Sequence, residues 1–241
     1  MNIALLIPST SNKRDWKTTE DGYLTKILLP SFASTYNPEY KYTFFIGIDE
    51  DDKYYTRDRA KEIQDIFHNI IKQPIQLHFV ITGVEKGYVT EIWNVLFKLA
   101  YDKGNEYFVQ LGDDITFLDR GWDISCINKL KNNNNIGVCG LFDETRKNCE
   151  KFLLTQTMVH KKHMDIFGFY FPSEIRNWYC DDWITNIYKE TNNMFVTDER
   201  IGNIGGEPRY EVNDCPCRCK YLINKYKENI NQFINKNKYM D

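Results

Sequence analysis

Phe108-Val-Gln-Leu-Gly-Asp-Asp-Ile-Thr-Phe117 (FVQLGDDITF) carries an apolar run straight into two adjacent carboxylates, Asp113 and Asp114. Residues 106–111 are short, branched and aromatic, the character of a strand buried on both faces. Three earlier stretches read the same way: 3–7 (IALLI), 43–48 (TFFIGI) and 75–81 (IQLHFVI). Two segments of helical spacing separate the last of these strands. In 56–71 the apolar residues are Ala60, Ile63, Ile66, Phe67, Ile70 and Ile71, and in 88–102 Val89, Ile92, Trp93, Leu96, Leu99 and Ala100 form one stripe. Strands alternating with helices predict βα units and a largely parallel sheet.

The second half is less regular. Residues 135–142 and 151–159 read as strands, 182–190 and the Lys/Asn-rich 220–238 as helices. Residues 132–135 read as a loop, and the Gly-rich 201–211 as a mobile one. No linker or internal repeat divides the 241 residues. One α/β domain with a mixed second half is the expectation. Its parts are 1–122, 123–215 and a helical tail at 216–241.

A net charge of −3 argues against nucleic acid as the main partner. The opening Met-Asn-Ile-Ala-Leu-Leu-Ile-Pro reads as a first strand and not as a signal peptide, and no apolar run reaches the length of a membrane span. Seven cysteines, an odd number, favour free thiols in a reducing compartment, so a cytoplasmic location is expected. The Asn/Lys/Ile bias fits an AT-rich genome; for a large virus the compartment would be the host cytoplasm. Cys215, Cys217 and Cys219 alternate, without the Cys-x-x-Cys pairs of structural zinc sites, and read as loop thiols.

Ligands of open α/β sheets bind outside the carboxyl ends of the strands. Here those ends lead into Pro8-Ser9-Thr10-Ser11, Asp49-Glu-Asp-Asp52, Lys86-Gly87 and Gly112-Asp113-Asp114. A solvated loop accounts for any one of these; four along one edge favour a pocket. Two neighbouring carboxylates repel, increasingly as water is excluded. A hard cation such as Mg²⁺ or Mn²⁺ relieves that repulsion and carries phosphate oxygens on its far side. The other reading is that Asp113 and Asp114 simply open a turn.

The run Lys86-Gly-Tyr-Val-Thr-Glu-Ile-Trp-Asn94, then Gly104, then Gly112-Asp-Asp-Ile-Thr-Phe-Leu-Asp-Arg-Gly-Trp122 resembles the nucleotide-sugar half of GT-A-type glycosyltransferases, most closely the family-2 group. The later segments 132–140 and 157–188, with Asp181-Asp182 opening a helix, are similar to their acceptor half. The resemblance implies a GT-A-like domain with a Rossmann-like sheet, an inverting transfer from a UDP- or GDP-sugar to an acceptor hydroxyl, and Mn²⁺ or Mg²⁺ as cofactor. It places the donor nucleotide at Pro8, Ser9, Thr10, Asp49, Lys86, Gly87 and Asp113. It gives the metal to Asp114 with Asp113, and the general base to Asp182, with Asp181 second. The first acid of the family's Asp-x-Asp motif is replaced here by Gly112. The late histidine that several members supply to the metal has no counterpart, since His68, His78, His160 and His163 all precede Asp182. Arg200 and Arg209 are candidates for the diphosphate, and Trp178, Tyr179 and Trp183 for stacking on an acceptor sugar, with a place in the core stripe of the helix as the other reading of Trp183. Asn94 falls away from the apolar stripe and reads as a plain helix-surface residue. Two rivals stand: a catalytically silent nucleotide- or carbohydrate-binding module, and a sugar nucleotidyltransferase. The glycine-free Pro8–Arg14 segment counts against the second.

Overall fold

The computed structural model describes residues 1–71, 73–149, 152–207, 209–211 and 216–237. Three parallel pairings build the first half of the sheet. β1 (Asn2–Ser9) lies between β2 (Lys41–Ile48) and β4 (Tyr107–Gln110), and β3 (Gln76–Ile81) flanks β2. Helix α1 (Leu29–Thr35), entered through a π-helical turn at Leu24–Leu28, joins β1 to β2; α2 (Arg57–Ile70) and α3 (Val89–Asp102) make the next two crossovers. The strand–helix alternation of the sequence is therefore present with its expected parallel register.

Alternation along β1 shows why both faces are covered. Ile3, Leu5 and Ile7 point into one core with Phe32, Phe44, Phe67 and Trp122; Ala4 and Leu6 point into the other with Phe45, Trp93, Leu96 and Trp183. Burying one large aliphatic side chain contributes roughly 1.5–3 kcal/mol, so the five central residues of β1 alone anchor the sheet.

The second half extends the same sheet in mixed fashion. The short β5 (Ile115–Phe117) and helix α4 (Trp122–Lys131) follow β4, and then come β6 (Val138–Asp143), β7 (Thr157–His160), α5 (Lys162–Phe167), α6 (Cys180–Lys189), β8 (Met194–Asn203) and α7 (Pro216–Asn237). The strand order is β3-β2-β1-β4-β7-β6-β8-β5. β7 is antiparallel to both β4 and β6, β8 is parallel to β6, and β5 is antiparallel to β8. Among the described residues no helix is long and apolar enough to cross a membrane.

Three expectations change. Asn94 is no idle surface residue: its Oδ1 accepts from the backbone N–H of Tyr170 and Phe171 at 3.0 and 2.9 Å, and its Nδ2 donates to Phe171 O at 2.9 Å. One amide thus satisfies three main-chain groups of the loop that leads to α6. Asn94→Leu is expected to lower unfolding free energy by about 1–3 kcal/mol, because those groups lose their partner; urea denaturation measures it. Trp183 is fully buried core and offers no face to a sugar. Residues 201–203 belong to β8, so of the Gly-rich segment 204–207 and 209–211 lie outside a regular element.

Candidate active site

In the order 3-2-1-4, the chain reverses its direction of spread between β1 and β4, and such a switch point opens a crevice at the carboxyl ends. Leu111 N–H still bonds Leu6 O at 3.1 Å, the last rung before the strands part. Trp93, on α3, plugs the base of the gap, its indole N–H lying 3.2 Å from Leu6 O and 3.3 Å from Leu111 O. The acidic turn begins on this rigid floor. Gln156, just before β7, fixes its start by accepting from Gly112 N–H at 3.0 Å.

Ser9 ends β1 beside Asp113. Its hydroxyl donates to Asp113 Oδ2 at 2.5 Å, so the Tyr55 hydroxyl, also 2.5 Å from Ser9 Oγ, must be the donor in that second contact. Burial, then the Asp113 charge, pushes the Tyr55 phenol far above its usual range and keeps that proton in place. Thr10 donates to Asp49 Oδ2 at 2.7 Å. Asp52 serves the loops instead. It accepts from Ser11 N–H, Ser11 Oγ and the N–H groups of Tyr54 and Tyr55 at 2.7–3.1 Å, tying the loop after β1 to the loop after β2. Ser9, Thr10, Asp49 and Asp113 therefore meet as the sequence led us to expect, with Pro8 behind them in β1. Lys86 pairs with Asp51 at 2.8 Å on the exposed rim, and Gly87 takes a left-handed backbone (φ 91°) that suits glycine.

Asp113 and Asp114 differ sharply. Both oxygens of Asp113 are engaged by Arg209, Nη2 to Oδ1 at 2.6 Å and Nη1 to Oδ2 at 3.1 Å. Asp114 lies 4.0 Å from the same guanidinium. Burial and the neighbouring Asp113 push the Asp114 carboxyl up to about 6. A carboxylate that pays this much to ionise gains from a cation placed against it. Among the described residues no group of three or more His, Cys, Asp or Glu side chains is arranged around a metal position. The protein would thus offer Asp114, and Asp113 once freed, and leave the remaining positions to water and phosphate, as Mg²⁺ sites commonly do.

Farther along the same edge lie Asp143, at the end of β6, and the first turn of α6. Tyr179, before α6, is a non-glycine residue in the left-handed region (φ 69°). Asp181, half-buried, opens this turn of the helix. Burial pushes its carboxyl up to about 7, with Cys180 Sγ, 3.6 Å away, opposing the rise, Asp182 adding to it, and Arg146 opposing again. Asp182 is its neighbour on the helix, half-buried, and its main-chain carbonyl accepts from Asn186 Nδ2 at 2.7 Å. Trp178, just before this helix, is 48% exposed, and Tyr179 is half-buried.

Arg200 is held elsewhere. It donates twice to Asp119, at 2.8 and 3.0 Å, and reaches Glu144 at 3.4 Å, on the outer strands of the sheet. His160 ends β7 opposite Tyr107, at the amino end of β4, and His163 is packed against Tyr188 and Tyr170; burial pushes both imidazoles down to about 4. Cys215 lies outside the described residues; Cys217 and Cys219 belong to the first turn of α7 and not to a loop, Cys217 exposed and Cys219 buried with Sγ 3.8 Å from Tyr179 O. Sequence reasoning missed Tyr55, Gln156 and Tyr210 in the site. Nothing local marks them, because each is brought in from a different element.

No protein-family model and no curated protein sequence matches the chain. Solved structures do. S. aureus TarS 1–349 in complex with UDP-GlcNAc matches with a TM-score of 0.58 and 14% identity, over 94% of this chain and 66% of that one. S. aureus TarS gives 0.55 and 13%, covering 94% and 39%, and the UDP complex of TarS 1–349 gives 0.53 and 13%, covering 94% and 64%. This chain therefore spans less than two thirds of each of those chains. What it shares with them is a fold, the single α/β domain on an eight-stranded mixed sheet, whose TarS representatives have been seen holding UDP and UDP-GlcNAc.

Proposed function

We propose that this chain is a glycosyltransferase domain that moves a sugar from a nucleoside-diphosphate sugar, UDP-linked in the first instance, to an acceptor hydroxyl with inversion. One observation carries the reading. Ser9, Thr10, Asp49, Asp113 and Asp114 converge at the β1/β4 switch point of a fold whose solved neighbours include UDP and UDP-GlcNAc complexes. Fold alone does not set chemistry, so the weight rests on that convergence.

In this reading Asp49 and Thr10 recognise the nucleobase and ribose, with Gly87 and Lys86 closing the rim. Asp114, joined by Asp113, would hold Mn²⁺ or Mg²⁺, which when bound neutralises charge developing on the departing diphosphate. Its raised carboxyl supports this role. The acceptor lies toward α6, where a carboxylate takes the proton from the attacking hydroxyl. The family resemblance gives that proton to Asp182 first. A base works best with its titration near the working pH, and burial brings Asp181 to about 7, which favours Asp181 as the acceptor of the proton. Positioning donor and acceptor on the sheet edge and on the helix packed beside it supplies the remaining advantage.

The test is calorimetry with UDP and MnCl₂, followed by hydrolysis and transfer assays on UDP-sugars. Binding that needs Mn²⁺ and turnover abolished by chelator is the expected result. Binding without turnover on any donor would leave a silent module, and no nucleotide binding at all would end the proposal. NMR of the product's anomeric proton reads inversion directly.

A further inference from the structure

Residues 205–207 and 209–211 lie across the crevice, and the chain's own groups occupy the positions assigned above to a donor. The Arg209 guanidinium grips both oxygens of Asp113. The Tyr210 hydroxyl donates to Asp49 Oδ2 at 2.6 Å, and the Tyr210 ring stands over Gly87, 3.7 Å from where a Cβ would lie. A cation thus faces Asp113 and a flat ring faces Asp49 and Gly87, the two chemistries that a nucleotide with its metal ion presents.

The segment is held at several points. Arg14 donates to Glu207 O at 2.7 Å and Gly205 O at 3.2 Å, Asn12 to Arg209 O at 2.9 Å, and Asn177 to Glu211 O at 2.8 Å. Trp16 and Tyr23 lie 5.7 and 5.2 Å from the Arg209 guanidinium, within cation–π reach. The Arg209 side chain is only 12% exposed and Asp113 only 2%, so the pair is desolvated and neither partner can leave without another charge to replace it. At Gly205 the backbone approaches Asp114 so closely that any Cβ would overlap its carboxylate.

We propose that this segment is a self-inhibitory plug: in the donor-free protein Arg209 and Tyr210 hold the cation and nucleobase positions, and a nucleotide with its divalent cation must displace them. This rests on the crevice being the donor site. The displaced fraction limits apparent affinity, since a protein competent only part of the time binds in proportion to that fraction.

Two measurements test it. UDP with MnCl₂ is titrated calorimetrically into the wild type, Arg209→Gln and Gly205→Ala; both variants should bind about tenfold more tightly if about a tenth of the wild type is open. Separately, native protein is digested briefly with trypsin and cleavage after Arg209 is followed by mass spectrometry. Cleavage should be slow in the donor-free wild type, several-fold faster in Asp113→Asn, and faster in the wild type once UDP and MnCl₂ are added. Weaker or unchanged binding in both variants, or protection of Arg209 by UDP, would show a clamp on the donor and overturn the plug. If none of the three proteins binds UDP or another nucleoside diphosphate, the donor reading falls. Unaltered cleavage in Asp113→Asn would then overturn the holding contact as well.

Discussion

Asp114→Asn should abolish sugar transfer and at the same time make the protein harder to unfold at pH 8. The two effects have one origin. Burial and Asp113 raise the Asp114 carboxyl to about 6, so the folded state holds its proton over a range where the unfolded chain has already released it. Stability therefore falls as pH rises from about 4 to about 6, and the penalty stays in full above that. Asparagine removes the charge and keeps the shape. The gain at pH 8 should be on the order of 1–3 kcal/mol, a few degrees in melting temperature, with the attraction of Arg209 already included in the raised value. Below about pH 4 the two proteins should melt together. Turnover should drop by ~10²-fold or more, the loss expected when a group stabilising developing charge is removed. Melting curves at pH 4 and pH 8, with kcat on a UDP-sugar, decide the matter. A variant that is less stable at pH 8 contradicts the charge argument; one that retains full kcat removes the metal role.

The second large effect concerns the proton acceptor. If Asp181 takes the proton, kcat should fall on the acid side with an inflection near 7, the value to which burial brings it. Asp181→Asn should lower kcat by roughly 10²–10⁴-fold and remove that inflection. Asp182→Asn should keep the inflection but move it to lower pH, because the Asp182 charge adds to the rise of Asp181. Under the metal proposal Asp114 would not confuse the readout, because the cation would hold it ionised in the complex that kcat reports. An inflection that survives in Asp181→Asn and disappears in Asp182→Asn assigns the base to Asp182 instead.

Periodicity made the first half of the molecule legible. The stripe in 56–71 became Arg57–Ile70 and that in 88–102 became Val89–Asp102, each within two residues, because side chains at helical spacing meet a sheet face fixed by the strands beside them. β8 was invisible for the opposite reason. Met-Phe-Val-Thr-Asp-Glu-Arg-Ile-Gly-Asn is polar at its centre and becomes a strand only through its partners β6 and β5. The α4 segment Trp-Asp-Ile-Ser-Cys-Ile-Asn-Lys-Leu-Lys alternates polar and apolar residues too closely to show a clean stripe, yet buries Trp122, Cys126, Ile127 and Leu130. In the site, Ser9, Thr10, Asp49, Asp113 and Asp114 were readable because each follows a readable strand. The partner of Asp113 was not: Arg209 is 96 residues away, and a glycine-rich flank suggested mobility where the charge of Asp113 imposes a fixed position.

The pairing of β5 with β8 governs the order in which the molecule can be built. Ile115 aligns with Asn203 and Phe117 with Ile201, so a three-residue strand waits for a partner more than eighty residues downstream. During synthesis the first four strands and their helices can close on one another, while the stretch that follows the acidic turn dangles until the last strand emerges. The edge made by β5 and β8 is thereby the part of the described sheet that sets last, after the four strands that lead into the acidic turn have already found one another.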